Sequence, residues 1–405
     1  MIYIISLTVF LGIIMFLVAI LLSVELALVK KGDRFVVINA DDSSSIKVKG
    51  TPTLLSVLVG DGVLLPSACG GGGSCGMCKC VINEGGGDVL PTELAHLSRK
   101  EKNEKVRLSC QVKVKEDMQI AIPEEIFNIK KYSGKVKSNN NVATFIKELV
   151  IELDEGEELI CEAGSYIQID IPEYELAFKN FNIENEYRDE WDKFNFWDFN
   201  AKSEEPVFRA YSLANPPSEK KLLRLTVRIA TPPIHLPDVP PGVGSSYIFN
   251  LKPGDPVTIS GPYGDFFVKD TDNEMCFVGG GAGMAPMRTH IFNQFHTLQT
   301  NRKATFWYGA RSKREVFYED EFQDIEKNNS NFTFNLALSD PMPEDNWDGM
   351  EGFIHQVLQA KYLNNHEDPT EIEYYLCGPP LMIDAVINML DSLGVEEDMI
   401  HYDKF

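Results

Sequence analysis

A chain of 405 residues with 44% hydrophobic content is long enough for about two to four domains with formed cores, which excludes a disordered or fibrous protein. Its formal net charge of −22 excludes nucleic acid as a partner, because neutralising phosphates takes clustered Lys and Arg that this chain lacks. The acidity serves solubility and choice of partner.

Residues 1–24 carry no charge, and only Ser6, Thr8 and Ser23 are markedly polar. As a helix they would span about 36 Å, against a hydrocarbon core of about 30 Å, so a single transmembrane helix is expected. A cleavable signal peptide is the competing reading. It lacks a basic opening region, and no small-x-small cleavage site precedes Glu25. Lys30, Lys31 and Arg34 lie in or end a juxtamembrane linker at 25–34, which puts the N-terminus outside and the remainder in the cytoplasm. Cysteine usage agrees with a reducing compartment: four thiols are clustered for a ligand, and Cys161, Cys276 and Cys377 are scattered without a disulfide pattern.

A first soluble domain is expected over 35–127. Phe35-Val36-Val37-Ile38 and Ile46-Lys47-Val48 flank Asp41-Asp42-Ser43-Ser44-Ser45 as a hairpin, and Leu54, Leu55, Val57 and Leu58 follow Thr53 at helical spacing. The stretch from Cys69 to Cys78, Cys-Gly-Gly-Gly-Gly-Ser-Cys-Gly-Met-Cys, together with Cys110, reads as the cage of a [2Fe–2S] cluster. Four thiolates neutralise two ferric ions, and glycines let the loop turn its N–H groups towards the sulfides. The Cys75–Cys78 pair alone would suit structural zinc, but a glycine-rich gap and one distant cysteine replace a second short-spaced pair. Cys80 enters a strand and reads as a buried apolar residue. Further strands are expected at 80–82, 106–114 and 118–122, and a short helix at 92–97.

The C-x5-C-x2-C spacing is one residue longer than the plant-type pattern and resembles the bacterial or adrenodoxin-type ferredoxins. Residues 35–123 resemble the α+β fold of a β-grasp ferredoxin, which implies Cys69, Cys75, Cys78 and Cys110 as the metal ligands.

Residues 128–270 turn to short strands at regular spacing, the pattern of a small antiparallel barrel. Arg209-Ala210-Tyr211-Ser212, Gly242-Val243-Gly244-Ser245-Ser246 and the run from Gly254 to Phe266 resemble, in order, the R-x-Y-S, G-V-x-S and G-D-x-V-x-I-x-G-P-x-G-x-F motifs of the ferredoxin–NADP reductase family. The resemblance implies bound FAD, with Arg209 and the Gly242–Ser245 turn (Gly242, Val243, Gly244, Ser245) at the pyrophosphate, Tyr211 on the isoalloxazine and Ser212 near N5. The residue chemistry agrees: an arginine fork grips phosphates, and a phenol lies against an aromatic face. Residues 173–205 depart from the family pattern. This insertion holds ten acidic, four basic and nine aromatic residues, Trp191, Phe194, Phe196, Trp197 and Phe199 among them, and is expected to be an ordered docking surface.

From 271 to 405 the text is α/β, with a parallel sheet expected. A buried strand leads into Gly279, Gly280, Gly281, Gly283 and Pro286, a glycine turn that lets a pyrophosphate approach a helix N-terminus. Cys377-Gly378-Pro379 matches the C-G-P segment of the reductase family, which implies that Cys377 borders the path of the hydride from NADH. No acid follows the second strand closely to bond a ribose 2′-hydroxyl, whereas Arg311, Lys313 and Arg314 are placed to receive a 2′-phosphate. NADH is nevertheless expected as the substrate, by resemblance. The same family often covers its flavin with a terminal aromatic, so Phe405, or Tyr402 in its place, is expected to stack there.

In the order membrane helix, ferredoxin, flavin barrel and nicotinamide domain, the whole chain resembles the electron-input subunits of the sodium-translocating NADH:quinone oxidoreductase family. The alternative is the reductase component of a membrane-bound oxygenase or desaturase. The resemblance implies a bacterial inner-membrane location, partner membrane subunits, and electron flow from NADH through FAD and the cluster towards quinone. A carrier without nicotinamide oxidation, or a sodium pathway through one helix that lacks an ionisable residue before Glu25, would be different functions.

Overall fold

The computed structural model describes residues 10–20, 33–233, 236 and 238–404. Of the expected membrane helix, residues 10–20 are helical (α1), with Phe10, Met15 and Phe16 among its exposed side chains. Among the described residues no helix is long and apolar enough to cross a membrane. The rest of 1–24, the basic pair Lys30 and Lys31, and Phe405 lie outside the described residues. The chain divides into two compact units, Met1–Leu65 with Cys78–Glu124, and Pro66–Met77 with Glu125–Phe405.

In the first unit, β1 (Arg34–Ile38) and β2 (Asp41–Val48) form the expected hairpin, but its turn is Asn39-Ala40. Both residues have positive φ, +53° and +56°, the two-residue geometry that matches strand twist, so Asp41–Ser45 is strand and not turn. Asn39 is pinned there by bonds to the N–H and carbonyl of Ile122. Thr53 caps α2 (Leu54–Gly60), which buries Leu54, Leu55 and Leu58. After β3 (Lys79–Glu84) the helix expected at 92–97 is only a single turn at Pro91–Glu93. The helix forms instead as α3 (Arg99–Asn103), where Ser98 and Glu101 make a capping box. With β4 (Val106–Leu108) and β5 (Met118–Ala121) the sheet runs β2-β1-β5-β3-β4, and only β1 and β5 are parallel. Arg107 and Glu93 form a buried ion pair at 2.7 Å, and the same guanidinium holds the carbonyls of Gly86, Gly87 and Asp88.

The second unit begins its regular structure with β6 (Lys130–Ala143), β7 (Ile146–Leu153) and β8 (Tyr166–Ile171). The insertion folds as β9 (Tyr174–Ala177), α4 (Arg188–Lys193) and β10 (Asn200–Ser203). Then come β11 (Val207–Ser212), β12 (Leu222–Arg228), α5 (Val243–Asn250) and β13 (Pro256–Tyr263). The six long strands pair antiparallel in the order β11-β8-β13-β6-β7-β12. Alternation along them turns Leu149, Ile151, Ile167, Ile169, Leu223 and Leu225 into one core.

The insertion is ordered, as expected, but its aromatics do not form a docking surface. Phe178, Phe181, Trp191 and Phe196 turn inward around Phe249 into a separate core, and Trp191 is fully buried with its indole N–H on Thr144 O at 2.8 Å. Nine aromatics in one stretch are enough to build a core of their own, and burying them is worth more than displaying them.

The remaining strands β14 (Glu274–Gly279), β15 (Ala304–Ala310), β16 (Phe332–Leu338), β17 (Met350–Glu351), β18 (Ile372–Gly378) and β19 (Ile400–Lys404) are all parallel, in the order β17-β16-β15-β14-β18-β19. The helices α6 (Met284–Phe292), α7 (Glu319–Asn328), α8 (Ile354–Lys361) and α9 (Pro380–Ser392) connect them, and two apolar clusters fill the sheet's faces. The order reverses at β14, whose neighbours are β15 and β18, so the switch point lies where Gly279 ends its strand.

Candidate functional site

In the loop Pro66–Met77, Gly70, Gly71, Gly73 and Gly76 all have positive φ, the conformation that turns successive N–H groups inward. The Cys69 and Cys75 sulfurs stand 3.3 Å apart. The Cys75 thiol donates, which brings Cys69 down to about 3 and pushes Cys75 up. In the first unit Cys78 and Cys110 are both buried and hydrogen-bonded to each other, and this bond together with burial raises Cys78. Each pair supplies two thiols, the number of thiolates that one iron of a [2Fe–2S] cluster takes. Among the described residues no three His, Cys, Asp or Glu groups converge as around one metal ion. Cys80 is 3% exposed, and burial pushes its thiol up to about 12, as fits a core residue.

Strand β11 carries Arg209 and Tyr211 on one face and Ser212, buried, on the other. The N-terminus of α5 reaches this strand only because residue 244 is glycine: a Cβ there would stand 2.6 Å from Tyr211 Oη and 2.8 Å from Arg209 Cγ. Gly242 caps the helix and Val243 opens it, its carbonyl accepting from Tyr174 of the insertion at 2.6 Å. Ser245 sits in the first turn, but its hydroxyl is committed, accepting from Ala230 N–H at 3.0 Å and donating to Gly242 O at 3.2 Å. The backbone N–H groups of that turn, and the buried Ser246 hydroxyl with no partner among the described residues, remain for an anion. Arg209 donates to Phe208 O at 2.7 Å, and a Cβ on Gly70 would lie 2.1 Å from Arg209 Nη1, so the cysteine loop touches the arginine itself.

At the switch point a cleft of about 660 Å³ is lined by Gly280, Gly281, Gly283, Gly378, Pro379 and the arginines Arg228 and Arg311. Gly279 ends β14 and Gly281 has φ +56°. A Cβ on Gly283 would meet Cys377 O at 2.3 Å, so this turn packs against the Cys377–Gly378 segment as closely as backbone allows. Pro286 falls in the first turn of α6, where a missing N–H costs nothing. Arg228 is a lining residue that sequence reasoning does not find, since an arginine at the end of a strand has no signature of its own.

Cys377 is fully buried, and its thiol is raised by that burial and by Asp403, its register partner across β18 and β19. Asp403 also accepts from the Ser212 hydroxyl at 3.4 Å. Burial, then the nearby Asp265, push this carboxyl up to about 6. Asp403 thus joins two residues, Ser212 and Cys377, that sequence places on separate domains. In the terminal segment the aromatics are the conspicuous feature, and a single aspartate beside them carries no signal. Tyr402 is 50% exposed and alternates to the opposite face of β19 from Asp403, so the strand turns it away from Ser212. Phe405 lies outside the described residues.

The basic segment after β15 is paired within the chain. Arg311 bonds Glu190 and Glu315, Arg314 bonds Asp189 and Glu190, and Lys313 bonds Glu319. The cations that the sequence offers to a 2′-phosphate are thus ion-paired, Arg311 and Arg314 with Glu190 and Asp189 of the insertion, which local sequence could not reveal.

Residues 38–115 match the 2Fe-2S iron-sulfur cluster binding domain family, 193–268 the oxidoreductase FAD-binding domain family, and 277–388 the oxidoreductase NAD-binding domain family. Over 401 residues the chain is 54% identical to the F subunit of the Na(+)-translocating NADH-quinone reductase of Neisseria meningitidis serogroup C, covering 98% of both chains. The protein of the same name from Mannheimia succiniciproducens is 55% identical over 396 residues, 98% of this chain and 97% of that one. Among solved structures, the Amycolatopsis cytochrome P450 reductase GcoB superposes with a TM-score of 0.64 at 24% identity, over 92% of this chain and 98% of the other. The ferredoxin reductase in carbazole 1,9a-dioxygenase gives 0.60 at 24% identity, over 92% and 98%. At that identity the two structures share the fold with this chain.

Proposed function

The chain belongs to the family of Na(+)-translocating NADH-quinone reductase F subunits, and on that premise we propose that it is the NADH-oxidising, electron-input subunit of such a complex. The observation that carries the reading is the cleft at the switch point, where a glycine turn and the Cys377–Pro379 segment meet with Arg228 at the rim. A dinucleotide of NADH's size fits a crevice of this kind, its pyrophosphate at the N-terminus of α6 and beside Arg228. Cys377 and Ser212 border the transfer path, and Asp403 between them holds a proton or a charge according to pH.

Gly244 supports the assignment of the flavin site, since it is a cradle that any side chain would fill. Arg209 and the backbone N–H groups of α5's first turn hold the FAD pyrophosphate, and Tyr211 lies against the ring. FAD held there would supply the conversion from a two-electron hydride donor to single-electron transfer towards a [2Fe–2S] cluster. Cys69, Cys75, Cys78 and Cys110 hold that cluster, the donor set and the inward N–H groups of the loop both suiting an anionic iron–sulfur centre.

The domains are 35–127 for the ferredoxin, 128–270 for the flavin barrel with its insertion, and 271–405 for NADH. Residues 1–24 anchor the chain in the inner membrane, as their lack of charge and the exposed apolar side chains of α1 support, with the N-terminus outside because Lys30, Lys31 and Arg34 follow. Partner membrane subunits take the electrons onward to quinone. Anaerobic mixing with NADH in a stopped-flow instrument, followed at the flavin absorbance, tests the reading: rapid bleaching is expected. A flavin-replete protein bleached by neither NADH nor NADPH would overturn it.

A further inference from the structure

Arg311 to Arg314 follow β15, the second strand of the nicotinamide domain, near the place where such sheets read the adenine ribose. There an acid bonds a free 2′-hydroxyl, or an unpaired arginine receives a 2′-phosphate. By sequence the segment is basic. The fold brings a carboxylate to it from 121 residues away.

Glu190 lies on α4 of the insertion with its side chain 10% exposed. It accepts from Arg311 Nη1 at 3.0 Å and from Nη2 of the same fork, and from Arg314 Nη2 at 3.2 Å. Asp189 takes the outer side of Arg314 at 2.9 Å, Glu315 takes Arg311 at 3.2 Å, and Glu319 takes Lys313 at 2.5 Å. Four carboxylates therefore face three cations, and the segment offers no net positive charge. Arg228, the other arginine lining the cleft, takes part in no ion pair among the described residues. The next residue along α4, Trp191, is locked in the insertion's aromatic core, so the carboxylate is held in place by packing and not by the ion pairs alone.

We propose that Glu190 is a specificity-determining residue: by occupying the forks of Arg311 and Arg314 it excludes the 2′-phosphate of NADPH and leaves the cleft selective for NADH. The inference rests on reading the cleft as the NADH site. It gives the insertion a function, since nucleotide choice is then made by a carboxylate from the flavin lobe. A 2′-phosphate would have to displace Glu190 from three charge-assisted hydrogen bonds to two arginines and leave it buried without a partner, which is costly. NADH meets no such demand, because a 2′-hydroxyl carries no charge.

The test compares Glu190→Gln with wild type in the full chain with FAD bound, using ferricyanide as acceptor. The kcat/KM for NADPH should rise at least about tenfold while that for NADH stays within about threefold, a tenfold change being about 1.4 kcal/mol. Adenosine 2′,5′-bisphosphate should gain over AMP as a competitive inhibitor by a similar factor. Adding Arg311→Ala should cancel both gains. A residue that merely pinned the insertion would lower Tm and leave the NADPH:NADH ratio alone, and that result in a flavin-replete variant overturns the proposal. If Glu190→Gln loses FAD, Asp189→Asn at the solvent edge decides instead, with a smaller gain of about threefold expected and no gain overturning the idea. Wild-type flavin that neither nicotinamide reduces would mark failure of the site reading, and not of this inference.

Discussion

Asp403 accepts the Ser212 hydroxyl at 3.4 Å while standing in register with Cys377 on the neighbouring strand. One carboxylate thus joins the flavin strand to the nicotinamide sheet. Its carboxyl is raised from 3.8 to about 6 by burial and by Asp265. Because the folded value exceeds the unfolded one, the folded state binds the extra proton between them, and stability falls as pH rises through that window. Asp403→Asn removes the penalty. The variant's Tm should match wild type at pH 4 and exceed it by pH 7, by at most about 3 kcal/mol in stability. The inflection near pH 6 in the rate of flavin reduction by NADH should vanish with it. A wild-type-minus-variant difference in Tm that is flat from pH 4 to pH 7 would refute the raised carboxyl.

Glu93 and Arg107 are buried together, with side chains 0% and 5% exposed. Glu93→Gln strips the guanidinium of its counter-ion and should destabilise the ferredoxin unit by about 3–5 kcal/mol, read by urea unfolding followed at the cluster absorbance. Burial opposes ionisation of Glu93, but Arg107 and the N–H groups of Leu90 and Leu108 hold its carboxyl below 4.5. The pair's stability is therefore fully present above pH 4.5 and is lost as pH falls through the lower folded value, so the deficit of the variant should shrink in acid. A deficit independent of pH would mean packing, not charge, is what Glu93 supplies.

What is legible in sequence is whatever is local. The spacing of Cys69, Cys75 and Cys78, Thr53 as a cap, Arg209 and Tyr211 on one face of a strand, and glycines where β14 becomes α6 all depend on neighbours a few residues away. What stays hidden is long-range. Glu190 and Arg311, or Ser212 and Asp403, meet only after two lobes have folded, and no period announces such pairs. The aromatic insertion misleads for a related reason: composition gives the amount of apolar surface but not which way it faces. The Asn39-Ala40 turn is concealed because Ala40 is not a residue that advertises a positive φ.

At Gly244 one added methyl group should cost cofactor retention. In Gly244→Ala the new Cβ would stand 2.6 Å from Tyr211 Oη and 2.8 Å from Arg209 Cγ, so either α5 or these two side chains must move. Either shift would disturb the proposed pyrophosphate site, made of Arg209 and the first-turn N–H groups of α5. FAD should be lost on gel filtration, with a Kd raised at least about tenfold, while the cluster absorbance is retained. Stoichiometric FAD in the purified variant would contradict this.

Deleting residues 1–24 removes the uncharged stretch and no residue of any described strand. The truncated protein should remain in the supernatant after membranes are sedimented and still reduce ferricyanide with NADH at a rate within about twofold of the full chain. Sedimentation with membranes stripped of partner subunits would show that something other than this segment anchors the protein.

Cys78→Ser separates hydride transfer from single-electron transfer. Cys78 is 1% exposed immediately before β3, so a serine fits its volume, but a hydroxyl is a poor substitute for a thiolate on iron and the cluster should be lost. Arg209, Tyr211 and Ser212 lie on β11, and Cys377 on β18, with cores of their own. FAD should therefore be retained, and its reduction by NADH should stay within about twofold of wild type. Quinone reduction through the assembled complex should fall at least about a hundredfold, because the acceptor of single electrons is gone. Iron analysis and paramagnetic resonance establish the loss of the cluster in the same sample. Normal quinone reductase activity in protein so characterised would mean that electrons bypass Cys69, Cys75, Cys78 and Cys110, and the order NADH, flavin, cluster, partner subunit would have to be abandoned.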